Sequence, residues 1–147
     1  MNKDYITNLY NKELLTEFDI HFGGFITELC GKDDPDVFLG AALTSHVTGN
    51  GDVCLDLASM AGNVLVKKQN GYEPIVCPQL SVWRHKLMAT QVIGRPGEFR
   101  PLVLDERNRL YLYRYWEYEK RLSDSIKIRV QKDIRDIDLS LLRHGIK

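Results

Sequence analysis

Paired cysteines are absent from this chain. The three present, Cys30, Cys54 and Cys77, form an odd set with no Cys-x-x-Cys spacing. That argues against a disulfide framework and fits a reducing compartment. A zinc site combining these thiols with His46 or His85 lacks the paired ligand spacing such sites use, so buried thiols are the expectation. No apolar run approaches the ~20 residues that span a bilayer. The opening Met1-Asn2-Lys3-Asp4-Tyr5 has no apolar signal core, so a cytoplasmic setting is expected rather than secretion or membrane insertion. Repeats, low-complexity tracts and Pro/Ser-rich linkers are missing too, and residues 1–147 read as a single domain. A phosphate-gripping Gly-x-x-x-x-Gly-Lys-Ser/Thr turn is also lacking, since Gly31-Lys32 is followed by Asp33 and has no earlier glycine at the required spacing. Without it the backbone amides, lysine and hydroxyl that cradle a nucleotide triphosphate and its Mg²⁺ are not supplied.

What is present is an ordinary core-forming composition. Of 147 residues, 44% are hydrophobic, and a chain of this length buries roughly 70% of its unfolded surface. No metal or disulfide staple is needed. The formal net charge is zero, yet residues 1–62 carry three bases against ten acids, net −7, and residues 63–147 are correspondingly +7. Two faces with different partners, one face turned to nucleic acid, and mutual attraction between the halves all fit this asymmetry.

Local signals give a coarse element order. Tyr5, Ile6, Leu9 and Tyr10 suggest a short helix. A longer one starts near Thr16, with Asp19 as capping-box partner. Its apolar residues Phe18, Phe22, Phe25, Ile26 and Leu29 share one helical face, and Gly31 stops it. Asp34-Pro35 restarts a helix, in which Gly40, Ala41 and Ala42 would let a neighbouring helix approach closely. Thr48-Gly49-Asn50-Gly51 ends it. Val53-Cys54-Leu55 reads as a short strand, and Asp56 caps a brief helix ended by Gly62. Residues 63–78, with Gly71, Pro74 and Pro78, read as loop. A helix over 79–93 places Leu80, Trp83, Leu87 and Met88 on one face. Residues 101–113 read as a hairpin around Asp105-Glu106-Arg107-Asn108. Tyr115, Tyr118, Leu122, Ile126 and Val130 then make an amphipathic helix, and a last short helix covers 137–144.

Helix, short strand, helix, helix, hairpin is the element order of a winged helix, here over 35–113. The fold class expected is α+β, mainly helical, a winged-helix-like core with flanking N- and C-terminal helices. Ala41-Ala-Leu-Thr-Ser-His46, Gly49-Asn-Gly-Asp-Val-Cys-Leu-Asp-Leu57, Trp83 with Leu87, Pro101-Leu-Val-Leu-Asp105 and Arg109-Leu-Tyr-Leu-Tyr-Arg-Tyr-Trp-Glu-Tyr-Glu119 occur in one order. Together they resemble the N-terminal domain of RecD, the alpha subunit of exodeoxyribonuclease V (the RecBCD helicase–nuclease), over about residues 9–122. Asp56 stands where relatives often have proline, and either residue suits a helix start. The resemblance implies a parent ATP-dependent 5′-to-3′ DNA helicase acting with RecB and RecC on double-strand breaks. Its motor, with the ATP and Mg²⁺, would lie C-terminal to this domain. The implied role here is non-catalytic: a protein-interaction domain docking that motor onto RecC, with DNA contact as the alternative.

Candidate contacts to a partner or to DNA are Arg109, Tyr111, Tyr113, Arg114, Trp116, Lys120, Arg121 and Lys127. With Tyr115 and Tyr118 these rings are the richest aromatic cluster in the chain. Core packing, a protein interface and stacking on single-stranded DNA are all open to them. Other constellations read as bland. Adjacent helical Ser45 and His46 point about 100° apart and cannot act as nucleophile and base. Glu117, Glu119 and Asp124, beside Lys120 and Arg121, read as solvated helix pairing rather than as metal ligands.

Overall fold

The structure is a computed structural model, and it describes residues 3–69, 71–132 and 139–145. The chain divides into two compact units, residues 1–116 and 117–147. In chain order the elements are α1 (Lys3–Asn11), α2 (Glu17–Cys30), α3 (Pro35–Gly49), β1 (Leu55–Asp56), α4 (Leu57–Met60), β2 (Val64–Val66), β3 (Ile75–Val76), α5 (Leu80–Met88), β4 (Ile93–Gly94), β5 (Leu102–Leu104), β6 (Arg109–Leu112), α6 (Tyr113–Gln131) and α7 (Leu139–Gly145). The class is α+β, mainly helical.

Helix α3 is the centre of the first unit. Val37 through Ser45 are all buried, as is Thr48. A helix apolar on every side has no solvent face to offer and is enclosed. Asp34 caps its start through the amide of Asp36, and Thr44 returns its hydroxyl to the Gly40 carbonyl at 2.7 Å. The small residues do what their size permits. A Cβ at Gly40 would come within 3.1 Å of Leu87 and 3.4 Å of the Trp83 indole nitrogen, so α5 lies directly against it. On the α2 side the close approach belongs to Gly23, where a Cβ would meet the Phe38 ring at 2.9 Å and the Ala42 Cβ at 3.1 Å. Trp83 is fully buried and donates its indole N–H to the Asp36 carbonyl at 2.9 Å.

Caps set the helix limits. Thr16 and Asp19 form the reciprocal capping box of α2, and Gly31 closes that helix at φ 66°, the left-handed conformation glycine tolerates. The face α2 turns inward is not its apolar stripe. Asp19, Gly23, Ile26 and Thr27 are buried, whereas Phe18, Phe25 and Leu29 stand 72%, 53% and 49% exposed. Of the expected face only Ile26 is fully in the core, because the approach to α3 runs through Gly23.

Four strands form a sheet in the order β1-β6-β5-β4. Leu55 pairs with Leu110 and Val103 with Tyr111, both antiparallel, while Ile93 runs parallel to Leu102. The turn joining β5 to β6 is built by Asp105, whose Oδ1 accepts from the Arg107 and Arg109 amides at 2.9 Å each. Arg84 of α5 anchors it by donating to the Asp105 carbonyl and to Asn108. From α3 the observed order is α3, β1, α4, β2, β3, α5, β4, β5, β6, which departs from the expected helix, strand, helix, helix, hairpin in two places. Residues 63–78 contain a separate antiparallel ribbon, β2 with β3, where a loop was expected. The helix expected over 79–93 stops at Met88, and Ile93 enters the sheet instead. The strand expected at 53–55 begins at Leu55. Residue 137, where the last helix was expected to start, lies outside the described residues, and α7 is seen from Leu139.

Candidate interaction surfaces

Within the first unit, the aromatic and basic candidates of the hairpin and the start of α6 differ in burial. Tyr111 is buried, and burial raises its hydroxyl pKa to about 12. It is a core residue. Arg109 lies over that ring at 5.8 Å and donates its Nε–H to Asp105 Oδ2 at 2.8 Å. Tyr113 is half-buried, meets Phe99 edge-on at 4.8 Å and lies 6.1 Å from the tilted Trp116 ring. Arg114 is exposed. In the second unit Lys120 pairs with Asp124 at 3.1 Å, Arg121 with Glu117 at 2.8 Å, and Lys127 is exposed. These i,i+4 pairs are the solvated helix pairing expected of Glu117 and Asp124.

Phe99 was missed by sequence reasoning. It is 84% exposed, the most exposed aromatic ring among the described residues, between Arg95 and Arg100 in the loop before β5. The only signal was a lone aromatic in a Gly/Pro stretch, and its meeting with Tyr113 depends on pairing of β5 with β6.

A polar cluster joins α2 to the C-terminal end of α3. Buried Asp19 accepts from the Ser45 hydroxyl at 2.6 Å on one oxygen, and on the other from Thr16 and the His46 ring nitrogen at 2.9 Å. The far nitrogen of His46 meets the Asn50 side chain at 3.0 Å. Burial pushes the Asp19 carboxyl pKa up, but hydrogen bonds from Ser45, Thr16 and His46 outweigh it and hold the group below its ordinary value. Ser45 and His46 thus each serve Asp19 rather than each other, and no nucleophile–base pair forms. Beside the cluster a cavity of ≈380 Å³ is lined by Phe18, His46, Thr48, Asn50, Leu112 and Tyr115, among others. The Thr48 hydroxyl is buried there without a hydrogen-bond partner among the described residues.

Nothing else in the described residues concentrates chemistry. No group of three or more His, Cys, Asp or Glu side chains could hold a metal ion. Cys77 is buried, and desolvation raises its thiol pKa to about 11; Cys30 and Cys54 are raised by the same cause. Gly31-Lys32 lies at the C-terminal end of α2, where the helix dipole is negative and opposes phosphate. No helix of the described residues is long and apolar enough to cross a membrane.

Helix α6 completes the set of surfaces. Nineteen residues long, it has no buried residue. Along it Tyr118, Leu122, Ile126 and Val130 are all exposed.

The described residues thus form an α+β, mainly helical structure with exposed apolar side chains on α2 and α6. Comparison with known proteins gives the family. Residues 11–111 match the profile of the RecBCD enzyme subunit RecD, N-terminal domain, and the chain belongs to that family. The RecBCD enzyme subunit RecD of Mycolicibacterium smegmatis is 31% identical over 114 residues, covering 78% of this chain and 19% of that protein. The protein of the same name from Mycobacterium tuberculosis H37Rv is 28% identical over 104 residues, covering 71% and 16%. The chain spans less than a fifth of the length of these relatives.

Proposed function

We propose that this domain is the non-catalytic docking module of a RecD subunit. It holds the helicase motor onto RecC within RecBCD and braces the first motor domain through its C-terminal helices. The observation that carries this reading is α6, a 19-residue helix whose apolar stripe is uncovered. Apolar side chains repeated along one helix face mark a surface meant to be buried. The relatives supply what could cover it, since more than four fifths of their length lies outside the match. The mechanism is placement: tethering raises the motor's effective concentration and fixes its orientation on the strand. ATP and Mg²⁺ belong to the motor domains, and the setting is the cytoplasm, where broken DNA is repaired and recombined. Pull-down of the folded domain with RecC of the same source tests this. Binding without ATP hydrolysis is expected; absence of binding at micromolar concentration would overturn it.

A second reading, a DNA-guiding module, is favoured by the row Phe99–Tyr113–Trp116 beside Arg95 and Arg100. Base–aromatic stacking contributes about 1–3 kcal/mol per base. Salt-dependent binding of single-stranded DNA that is lost in an Arg95→Glu, Arg100→Glu double variant would support it. Salt-independent binding would remove it.

A further inference from the structure

On the apolar stripe of α2, Phe22 packs against the core while Phe18, Phe25 and Leu29 are left exposed, and a cavity adjoins the stripe at its N-terminal end. Phe18, Phe22, Phe25 and Leu29 sit at i, i+4, i+7 and i+11, within about 60° of helical arc. Phe18, the most exposed of them, is also a wall of the ≈380 Å³ cavity. We propose that stripe and cavity together receive an amphipathic helix from the partner subunit, its apolar side chains on the stripe and one arginine or lysine in the cavity. This rests on the docking reading above and names the face it uses.

Charge identifies the occupant. Glu17 and Glu28 run beside the stripe and Glu13 and Asp33 lie near its ends, against Lys32 and His21. This is the half of the chain that carries net −7. Phosphates are repelled from such a rim, so nucleic acid is disfavoured, whereas a helix edged with Lys or Arg is attracted. The cavity adds a second, independent pointer. It lies at the C-terminal end of α3, where the helix dipole favours a cation, beside the ionised Asp19. Phe18 and Tyr115 line it as well, and aromatic rings attract cations. Thr48 lines the cavity, and its hydroxyl, buried and unsatisfied, becomes an acceptor for the N–H of a guanidinium or ammonium once its side chain turns to meet one. An orphaned buried hydroxyl is costly to keep and calls for a partner.

The test measures affinity of the full chain for RecC with three variants, each first checked for native circular dichroism and melting point. Phe25→Glu and Leu29→Glu change exposed positions, so they should leave the fold intact and weaken binding about tenfold or more. Thr48→Val is the sharper probe. It removes an unsatisfied hydroxyl and should leave the free domain as stable as before or more so, yet weaken binding about fivefold. Wild-type binding with all three variants weakened bears the proposal out. Wild-type binding with the variants equally tight overturns this face while leaving the docking reading standing. No wild-type binding overturns both.

Discussion

Helices α3 and α6 are both built largely from good core-forming spacing, and they meet opposite fates. Ten of the fifteen residues of α3 are buried, and none of the nineteen in α6 is. The difference lies in what the sequence puts between the apolar positions. In α3 those gaps hold Gly, Ala, Ser and Thr, small side chains that let neighbouring helices close in. In α6 they hold Arg114, Glu117, Lys120, Arg121, Asp124 and Lys127, among which Lys120–Asp124 and Arg121–Glu117 pair in water. A sequence can therefore repeat apolar residues at helical spacing with two outcomes, and the residues between them tell a buried helix from an exposed one.

The contrast makes graded predictions. Phe38→Ala on α3 should cost about 3–5 kcal/mol in denaturant unfolding, the loss from emptying a tightly packed ring site. Asp19→Ala should cost about 2–4 kcal/mol at neutral pH, because it removes a cap and leaves Ser45 and Thr16 unpaired. The Asp19 carboxyl sits lower in the folded state than in the unfolded one. Its contribution is therefore complete above the unfolded aspartate value, about 3.9, and is lost as pH falls through the folded value. Asp19→Asn should flatten that acid limb of the stability curve. Gly23→Ala should cost about 1–2 kcal/mol, since the crowded Phe38 and Ala42 outweigh alanine's better helix propensity. At the bottom of the series, Leu122→Ala on α6 should stay within about 0.5 kcal/mol. An α6 variant as damaging as Phe38→Ala would erase the distinction.

Much of the fold was legible because its signals are local. Thr16 with Asp19, Asp34-Pro35 and Asp56 mark helix starts, Gly31 and Gly62 mark stops, and the Asp105 to Asn108 turn marks the hairpin. Non-local facts were not legible. The ribbon at residues 64–76 has strands of three and two residues, too short to show a period. Ile93 reads as helical until Leu102 supplies its strand partner. Asp19 is readable as a cap, but its bonds to Ser45 and His46, 26 and 27 residues away, are not. Periodicity found the α2 stripe without saying which way it faces, because the deciding residue, Gly23, has no hydrophobic signal at all. Among the candidate contacts, chemistry named Tyr111 and Tyr113 alike, and only burial separates a core ring from a surface one.

The most direct test is hydroxyl-radical footprinting of the domain alone and in the full-length subunit assembled with RecC. In isolation Phe18, Phe25, Tyr118 and Leu122 should oxidise readily while Phe38 and Trp83 do not. On assembly the first four should become protected and the last two remain unchanged. Unaltered oxidation of α2 and α6 in a complex shown to be assembled would contradict a docking role for either helix.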